Sequence, residues 1–457
     1  MKFPLLIRAA SIAAVAAALV YPLTLVDRKI VERQARAEQV AARFAAETSG
    51  PQAIVGPLLA IACEETVVVE RVVKRAGKEE TITEQKTRSC PTAFFPPRTL
   101  DVAGKVPVET LHRGIYPIRL YRASLAFAGE FDWPPPPSQD GAVSRRWKSA
   151  SVVVATDDAR GIKQVSPLAW GAGTLAFVPG RAGDEARFSL EAPLGDYAGV
   201  KPPGAIAFRF AMELAGTTSL HLVPVGDATT MRLASDWPHP AFMGAFPPDR
   251  RSIGPAGFEA AWKTTHFATG GRGAWQAPLE RAKPASPDNL TMGFVLVDPV
   301  NLYLLSYRAV AYGFLFVLFT FSGLALAEAM AGVRLHPVQY ALVGSALAVF
   351  FLLLIALAEH VGFALAYLAA ATACVALLTF YLRHPLGTWK RTSAFLGLFV
   401  ALYASLYALL LSEDHALLAG SLLVFGALAT GMVLTRRTDW AAISVRLRSG
   451  AAAPAAP

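Results

Sequence analysis

Eight histidines, three cysteines and one pair of adjacent aspartates are the residues from which a metal-binding or reactive site in this sequence would have to be built. The histidines are His112, His221, His239, His266, His336, His360, His384 and His415. No two are spaced as His-x-x-x-His or His-Glu-x-x-His, the pairings that turn two imidazoles toward zinc from one helix face. No metal and no cofactor is therefore expected. A Gly-x-Ser-x-Gly elbow, a Walker loop and a Gly-x-Gly-x-x-Gly opening a helix are all missing, and Gly270-Gly271-Arg272-Gly273 reads as a turn. Asp157-Asp158-Ala159-Arg160-Gly161 sets two carboxylates beside a guanidinium, an arrangement that can serve acid/base work. Because it directly follows a β-branched run, it reads better as a turn closed by a local ion pair. Asp236-Trp237-Pro238-His239-Pro240-Ala241-Phe242 packs two prolines among two aromatics, a rigid loop that serves either internal packing or a partner. Trp237 and His239 are candidates on that ground.

The elements that must position these residues follow from composition. With 457 residues, 54% of them hydrophobic and only 17% charged, the chain is too apolar for a string of soluble domains. The net charge of +9 is concentrated at the membrane-flanking ends. Residues 27 to 306 hold 32 basic against 29 acidic side chains, too even a balance for a nucleic-acid face. Three cysteines exclude a disulfide-dense secreted scaffold.

Crossing the hydrocarbon core takes about 20 apolar residues. Six stretches meet or approach that length, near 5 to 26, 309 to 327, 338 to 357, 361 to 382, 394 to 411 and 416 to 434. Lys2, Arg8 and the small residues Ala16 to Ala18 also describe a cleavable signal peptide, but the apolar run continues through Val20 and Leu25, favouring an uncleaved anchor. Arg334, the group Arg383, Lys390 and Arg391, and the group Arg436, Arg437, Arg446 and Arg448 mark one set of loops as cytoplasmic. The loops at Glu359-His360 and Ser412 to His415 carry no Lys or Arg. Both termini are then cytoplasmic and residues 27 to 306 periplasmic, with Arg28, Lys29 and Arg33 as a local conflict. Every ionisable residue of the five C-terminal spans falls near a span end, which argues against an ion-coupled carrier.

Between the first and second spans, Asp27 to Thr48 has helical spacing and stops at Ser49-Gly50-Pro51, the pattern of a helical stalk. After it come alternating runs punctuated by Gly and Pro: Val67 to Lys74, Thr81 to Arg88, Arg119 to Phe127, Ser151 to Ala155, Ala205 to Leu214, Ser219 to Val225, Thr229 to Ala234 and Phe258 to Thr264. These predict a sandwich or a pair of sheets, with loops at Pro134 to Pro137 and Pro278 to Asp288. The fold class is thus membrane α + β. It comprises an anchor at 1–26, a stalk at 27–50, a periplasmic β-rich domain at 51–306, a five-helix transmembrane bundle at 307–440 and a disordered cytoplasmic tail at 441–457. A hairpin centred on Ala76-Gly77 makes partner numbers sum to 153, and Cys63 and Cys90 sum to the same value. They face each other in that register, so an oxidising compartment favours a disulfide, with two buried free thiols as the alternative. Cys374, inside a span, reads as a packing residue.

Several stretches in this order resemble the CreD family of inner-membrane proteins, described as cell envelope integrity proteins. They are Ser49-Gly50-Pro51-Gln52 with Val55-Gly56-Pro57-Leu58, Asp158-Ala159-Arg160-Gly161-Ile162, Trp237-Pro238-His239-Pro240 with Phe242, and Gly257-Phe258-Glu259-Ala260 with Trp262. Arg334-Leu335-His336-Pro337 with Gln339-Tyr340, Glu359-His360 with Gly362-Phe363, and Thr435-Arg436 with Asp439-Trp440 continue the series. The resemblance implies an anchored extracytoplasmic domain, a helical bundle, expression under a two-component system, and a role in envelope integrity and colicin tolerance. It supplies no catalytic residue, and Cys63 and Cys90 depart from its pattern. The expected function is non-enzymatic binding by the periplasmic domain, with the lipid bilayer and an unidentified envelope component or membrane protein as partners. A lipid or glycan transporter and an envelope polymer-modifying enzyme are the rival readings. Arg334, His336, Glu359 and His360 join Trp237 and His239 as the residues to test, against the plainer reading that they cap helices at the bilayer edge.

Overall fold

A computed structural model describes residues 3–75, 78–137, 143–180, 190–197, 204–270, 290–298, 302–331, 335–412 and 416–436. The turn at Ala76-Gly77, residues 271–273, the loop from Pro278 to Asp288, Arg334, residues 413–415 and the tail at 441–457 lie outside the described residues. The chain divides into a helical unit, residues 1–38 with 300–457, and a β unit, residues 39–299.

The strands are β1 (Gln52–Arg75), β2 (Lys78–Phe95), β3 (Thr99–Lys105), β4 (Val108–Arg113), β5 (Tyr116–Asp132), β6 (Val143–Thr156), β7 (Ile162–Val165), β8 (Leu168–Trp170) and β9 (Gly173–Leu175). They continue as β10 (Val178–Pro179), β11 (Leu190–Asp196), β12 (Ala205–Thr217), β13 (Ser219–Val223), β14 (Ala228–Ser235), β15 (Pro240–Met243), β16 (Arg250–Gly254), β17 (Gly257–Thr265) and β18 (Met292–Leu296). One sheet runs β10-β11-β6-β1-β13-β18-β15 with β2 against β1, and the other runs β16-β17-β14-β3-β5-β12-β8-β9 with β4 against β5 and β7 against β12. Every run singled out by alternation lies within one of these strands or, for 219–225, overlaps it. The end of the proline-rich segment is a correction: Pro240 to Phe242 belong to β15, because backbone pairing to β18 takes up groups that a free loop would leave to solvent.

The core joins the two sheets through alternate residues. Along β17, Phe258, Ala260 and Trp262 are buried while Glu259 and Lys263 face out. Phe127 of β5 stacks on Phe210 of β12 with ring centres 4.7 Å apart. The start of β1 is different: Gln52 to Ile61 are all buried, since a central strand covered on both faces has no polar face to show.

His221 of β13 sits inside this packing, only 3% exposed, between Ala53 of β1 and Gly293 of β18. Its Nδ1 has no hydrogen-bond partner and burial depresses its pKa to about 4. A depressed histidine contributes stability that is present above its unfolded value near 6.5 and is lost as pH falls toward 4. The loss between those limits is expected to be roughly 3 kcal/mol. Because Asp157, raised to about 6, gains stability over the same window in parent and variant alike, the test is the difference: the parent should lose stability relative to His221→Phe as pH falls from 6.5 toward 4, and a difference that does not change with pH would overturn this assignment.

In the helical unit, α1 (Phe3–Ala18) and α2 (Val20–Glu47) meet at Leu19. The near-continuous stretch Ala10–Glu47 is 38 residues, about 57 Å at 1.5 Å per residue and roughly twice the hydrocarbon thickness. A short α3 (His266–Thr269) follows β17 in the β unit. Then come α4 (Leu302–Ala311), α5 (Gly313–Ala331), α6 (Pro337–Val361), α7 (Phe363–Leu386), α8 (Trp389–Leu411) and α9 (Ala416–Thr435). Among the described residues, four helical stretches are long and apolar enough to cross a membrane, and the bent pair α4–α5 makes a fifth. The second span thus begins earlier than its apolar run, at Leu302, and bends by 42°. Gly313 sits at the break, where a side chain would meet Phe351 at 3.2 Å and Leu23 at 3.3 Å. The apolar stretch of α9, Leu418–Val433, is shorter. Large residues that do not pack inward, such as Leu365, Phe380 and Phe425, are widely exposed, as lipid-facing positions are.

Candidate functional site

The stretches Ser49 to Gln52, Asp157 to Gly161 and Ala215 to Thr217 are far apart in sequence and meet where α2 enters the β unit. Phe44 ends α2 by accepting from the Thr48 amide, and the extended chain then runs into β1. Ser49 Oγ donates to the Ala215 carbonyl at 2.6 Å, and the Thr217 amide donates to the Gly50 carbonyl at 3.1 Å. Gln52 donates through Nε2 to the Asp158 carbonyl and accepts the Asp158 amide through Oε1. The Ala53 amide donates to Asp157 Oδ2 at 3.0 Å. Asp158 caps the single 3₁₀ turn Ala159–Gly161 and grips Arg160, whose Nη2 lies 2.6 Å from its Oδ2. Arg160 Nη1 in turn donates to the Ala46 carbonyl at the end of α2.

This close approach explains two glycines. A Cβ on Gly161 would lie 2.5 Å from the Ala215 carbonyl oxygen, and one on Gly216 would collide with the hydroxyl of Tyr121. The carboxylates differ sharply. Arg160 beside Asp158 holds that carboxyl below the usual range, while shielding from water, with a smaller push from Asp158, raises Asp157 to about 6 despite the Ala53 amide. Asp158 is therefore spent on closing a turn with Arg160, the plainer reading of this segment, while Asp157 ties the segment to β1 through the Ala53 amide.

Trp237 and His239 lie in the turn between β14 and β15. The indole Nε1 donates to the carbonyls of His239 at 3.0 Å and Val297 at 3.2 Å, and the two rings meet edge to face. The Arg119 guanidinium stacks 4.9 Å above the indole and pairs with Asp298 at 3.0 Å. On the same β4–β5 hairpin, Arg113 pairs with Glu47 at 2.6 Å and lies over the Phe44 ring. One hairpin thus holds both ends of the β unit, the end of α2 and the chain just after β18.

His336, Glu359 and His360 mark the two ends of α6. His336 Nδ1 accepts the Val338 amide, Gln339 Oε1 accepts the His336 amide, and Pro337 fills the first helical position, which completes a capping box. One turn on, the Tyr340 hydroxyl donates to Glu328 at 3.2 Å. At the far end the Glu359 side chain is 8% exposed and faces Arg33 at 3.5 Å and the Tyr303 hydroxyl at 3.5 Å. His360 is exposed. A helix of 25 residues holds His336 about 35 Å from Glu359 at 1.5 Å per residue, so these residues form no common site. Arg33 and Lys29, two of the basic residues that run against the charge rule, face Glu359 and Glu32.

The matches with known proteins fit this layout. The family model described as "Inner membrane protein CreD" covers residues 4–441. The chain belongs to the CreD family. It is 32% identical over 447 residues to the inner membrane protein CreD of Escherichia coli (strain K12), covering 97% of this chain and 96% of that protein. With its apolar helices, this CreD-family chain is a membrane protein of the inner-membrane type. The pairings of Arg119, Arg33 and Gln52 escaped the sequence reading: each partner lies more than 100 positions away, and no local spacing announces such a pair.

Glu359→Ala leaves Arg33 facing an apolar helix end, and a several-fold fall in steady-state protein is expected, with His360→Ala at parental level. Quantitative immunoblotting checks it. Loss of function in Glu359→Ala at normal abundance would instead give this carboxylate a role beyond structure.

Proposed function

We propose that this CreD-family protein maintains cell envelope integrity, colicin tolerance included, by binding an envelope component through residues 27–306 on the periplasmic side, without an enzymatic step. In this reading both termini are cytoplasmic, and α9, 20 residues and about 30 Å long, supplies the sixth span.

The observation that carries the proposal is the junction of α2 with the sheets. Arg160 on Ala46, Ser49 on Ala215 and Asp157 on Ala53 tie the stalk end to β12, to β1 and to the 3₁₀ turn after β6. A stalk end built into the bonding of the β unit in this way suits a scaffold or relay. Among the polar groups of the family-like stretches, Ser49, Gln52, Asp158 and Arg160 build that joint, and His336 with Gln339 caps α6.

The test compares detergent and colicin sensitivity in cells lacking the protein, restored with the parental chain or with Arg160→Ala/Ser49→Ala at matched abundance. Parental restoration with a partial or lost phenotype in the loosened variant is expected. Unchanged sensitivity on deletion would remove the envelope role, and full restoration by the variant would remove the fixed-joint argument.

A further inference from the structure

The outer face of the larger sheet carries an open groove of about 1380 Å³ that none of the internal pairings above fills. Its floor is made of small residues where β3, β14, β17 and β16 lie side by side. Across these strands one outward row reads Arg250, Ala261, Arg232, Ala103, and the next reads Ser252, Glu259, Ala234, Lys105. Alanine is a poor strand residue, and such positions ordinarily carry larger side chains. Strands lie about 4.8 Å apart, so Arg250 and Arg232 stand ~10 Å apart at their Cα atoms and can converge over Ala261. Lys105 extends the cationic border. Arg250, Arg232 and Lys105 are exposed, and among the described residues none of the three has an ion-pair partner. Elsewhere in the domain Arg88, Arg113, Arg119, Arg146 and Arg160 face carboxylates.

We propose that this groove binds a phosphorylated saccharide, the Arg250–Arg232 pair taking a phosphate above Ala261 and Lys105 taking a further anionic group. Guanidinium groups supply the planar double donation that phosphate oxygens accept. Glu259, Ser252 and Ser124 line the same groove and match sugar hydroxyls, which a bare polyphosphate would not need. An acidic polypeptide fits less well. Strand addition at β16 would align with the edge, whereas the cations run across the strands, and the groove offers no deep apolar pocket for the side-chain anchors on which protein partners depend. Solubility alone asks for dispersed charge and gives no reason for an alanine floor.

The proposal rests on the binding reading above and names its ligand class. Its test uses the full-length protein in uncharged detergent and a bis-phosphorylated glucosamine disaccharide as probe, with calorimetry or equilibrium dialysis as readout. Saturable, salt-sensitive binding is expected. Arg232→Ser/Arg250→Ser should weaken it tenfold or more, by a rough estimate for losing two charge-assisted contacts. Ala261→Leu, which fills the floor without changing charge, should weaken it as well, and Arg209→Ser, on the same face but outside the groove, should not. Unaltered melting temperatures in the variants exclude unfolding as the cause. Absence of binding, binding indifferent to these changes, equal competition by inorganic phosphate or by the unphosphorylated disaccharide, or tighter binding of polyglutamate at the same residues each overturns the proposal. Because the readout is the purified protein, a negative result here leaves the sensitivity test of the envelope role standing.

Discussion

Replacing Gly216 with valine is expected to destabilise the β unit by about 4 kcal/mol, the sum of overpacking a close-packed core and stripping a buried hydroxyl of its acceptor. Gly216 is buried next to Thr217 at the end of β12, and a Cβ there would strike the Tyr121 ring and approach Gln52 Cγ at 2.9 Å. Tyr121 cannot yield easily: it is fully buried, and its hydroxyl donates to the Ser219 carbonyl at 2.7 Å. Gln52 is equally confined by its paired hydrogen bonds to Asp158. Tyr121→Phe alone should cost only ~1 kcal/mol, the usual net worth of one hydrogen bond. Combining Gly216→Val with Tyr121→Ala should recover part of the loss, since the two residues compete for one space. Denaturant titration of the purified protein decides it: a Gly216→Val variant within ~1 kcal/mol of the parent would mean that the junction yields.

Removing the link between Cys63 and Cys90 comes next in size. The structure sets the two residues opposite each other in the β1–β2 ladder, bonded, with Cα atoms 5.1 Å apart. The ladder shifts by one position between Ile61 and Cys63, so the bond lies just beyond an irregularity and holds the arm on its far side in step. Closing a loop with 27 residues of sequence separation is worth roughly 3.5 kcal/mol in the chain-entropy account, and Cys63→Ser or Cys90→Ser should lose about that much. Non-reducing peptide mapping should recover residues 63 and 90 in one linked species. Two freely alkylated thiols, or serine variants as stable as the parent, would end this assignment. Cleavage by trypsin after Lys86 and Arg88 should quicken in the variants if the arm opens without them.

Much of the framework was legible because it rests on periodicity. Alternation located β5, β12, β14 and β17, and a hairpin centred on Ala76-Gly77 set the register that put Cys63 opposite Cys90. The opening of β1 was harder to read, because Gln52 to Ile61 are buried on both faces and alternate nothing. The short strands β7 to β10 carry two to four residues each, too few to show a period. At the candidate site the motifs were visible and their meeting was not. Ser49-Gly50-Pro51-Gln52 and Asp158 to Gly161 each looked like an isolated stop or turn. Only the fold puts the Gln52 amide on the Asp158 backbone, 106 positions away. The role of His336 could have been found locally, since His336-Pro337-Val338-Gln339 spells a capped helix start once Gln339 is read as its reciprocal partner.

The pairing of β1 with β13 has a consequence for how the molecule comes into being. These strands run parallel, Gln52 beside Leu220 and Val55 beside Val223, and β13 is itself closed by β18 at Met292 to Val295. The first residues of β1 are therefore completed only by strands made some 170 and 240 residues later, although the rest of β1 pairs with β2 at once. Contacts so distant slow the search for the native state. Any chain ending before β18 should accordingly be cleared by proteolysis before it matures.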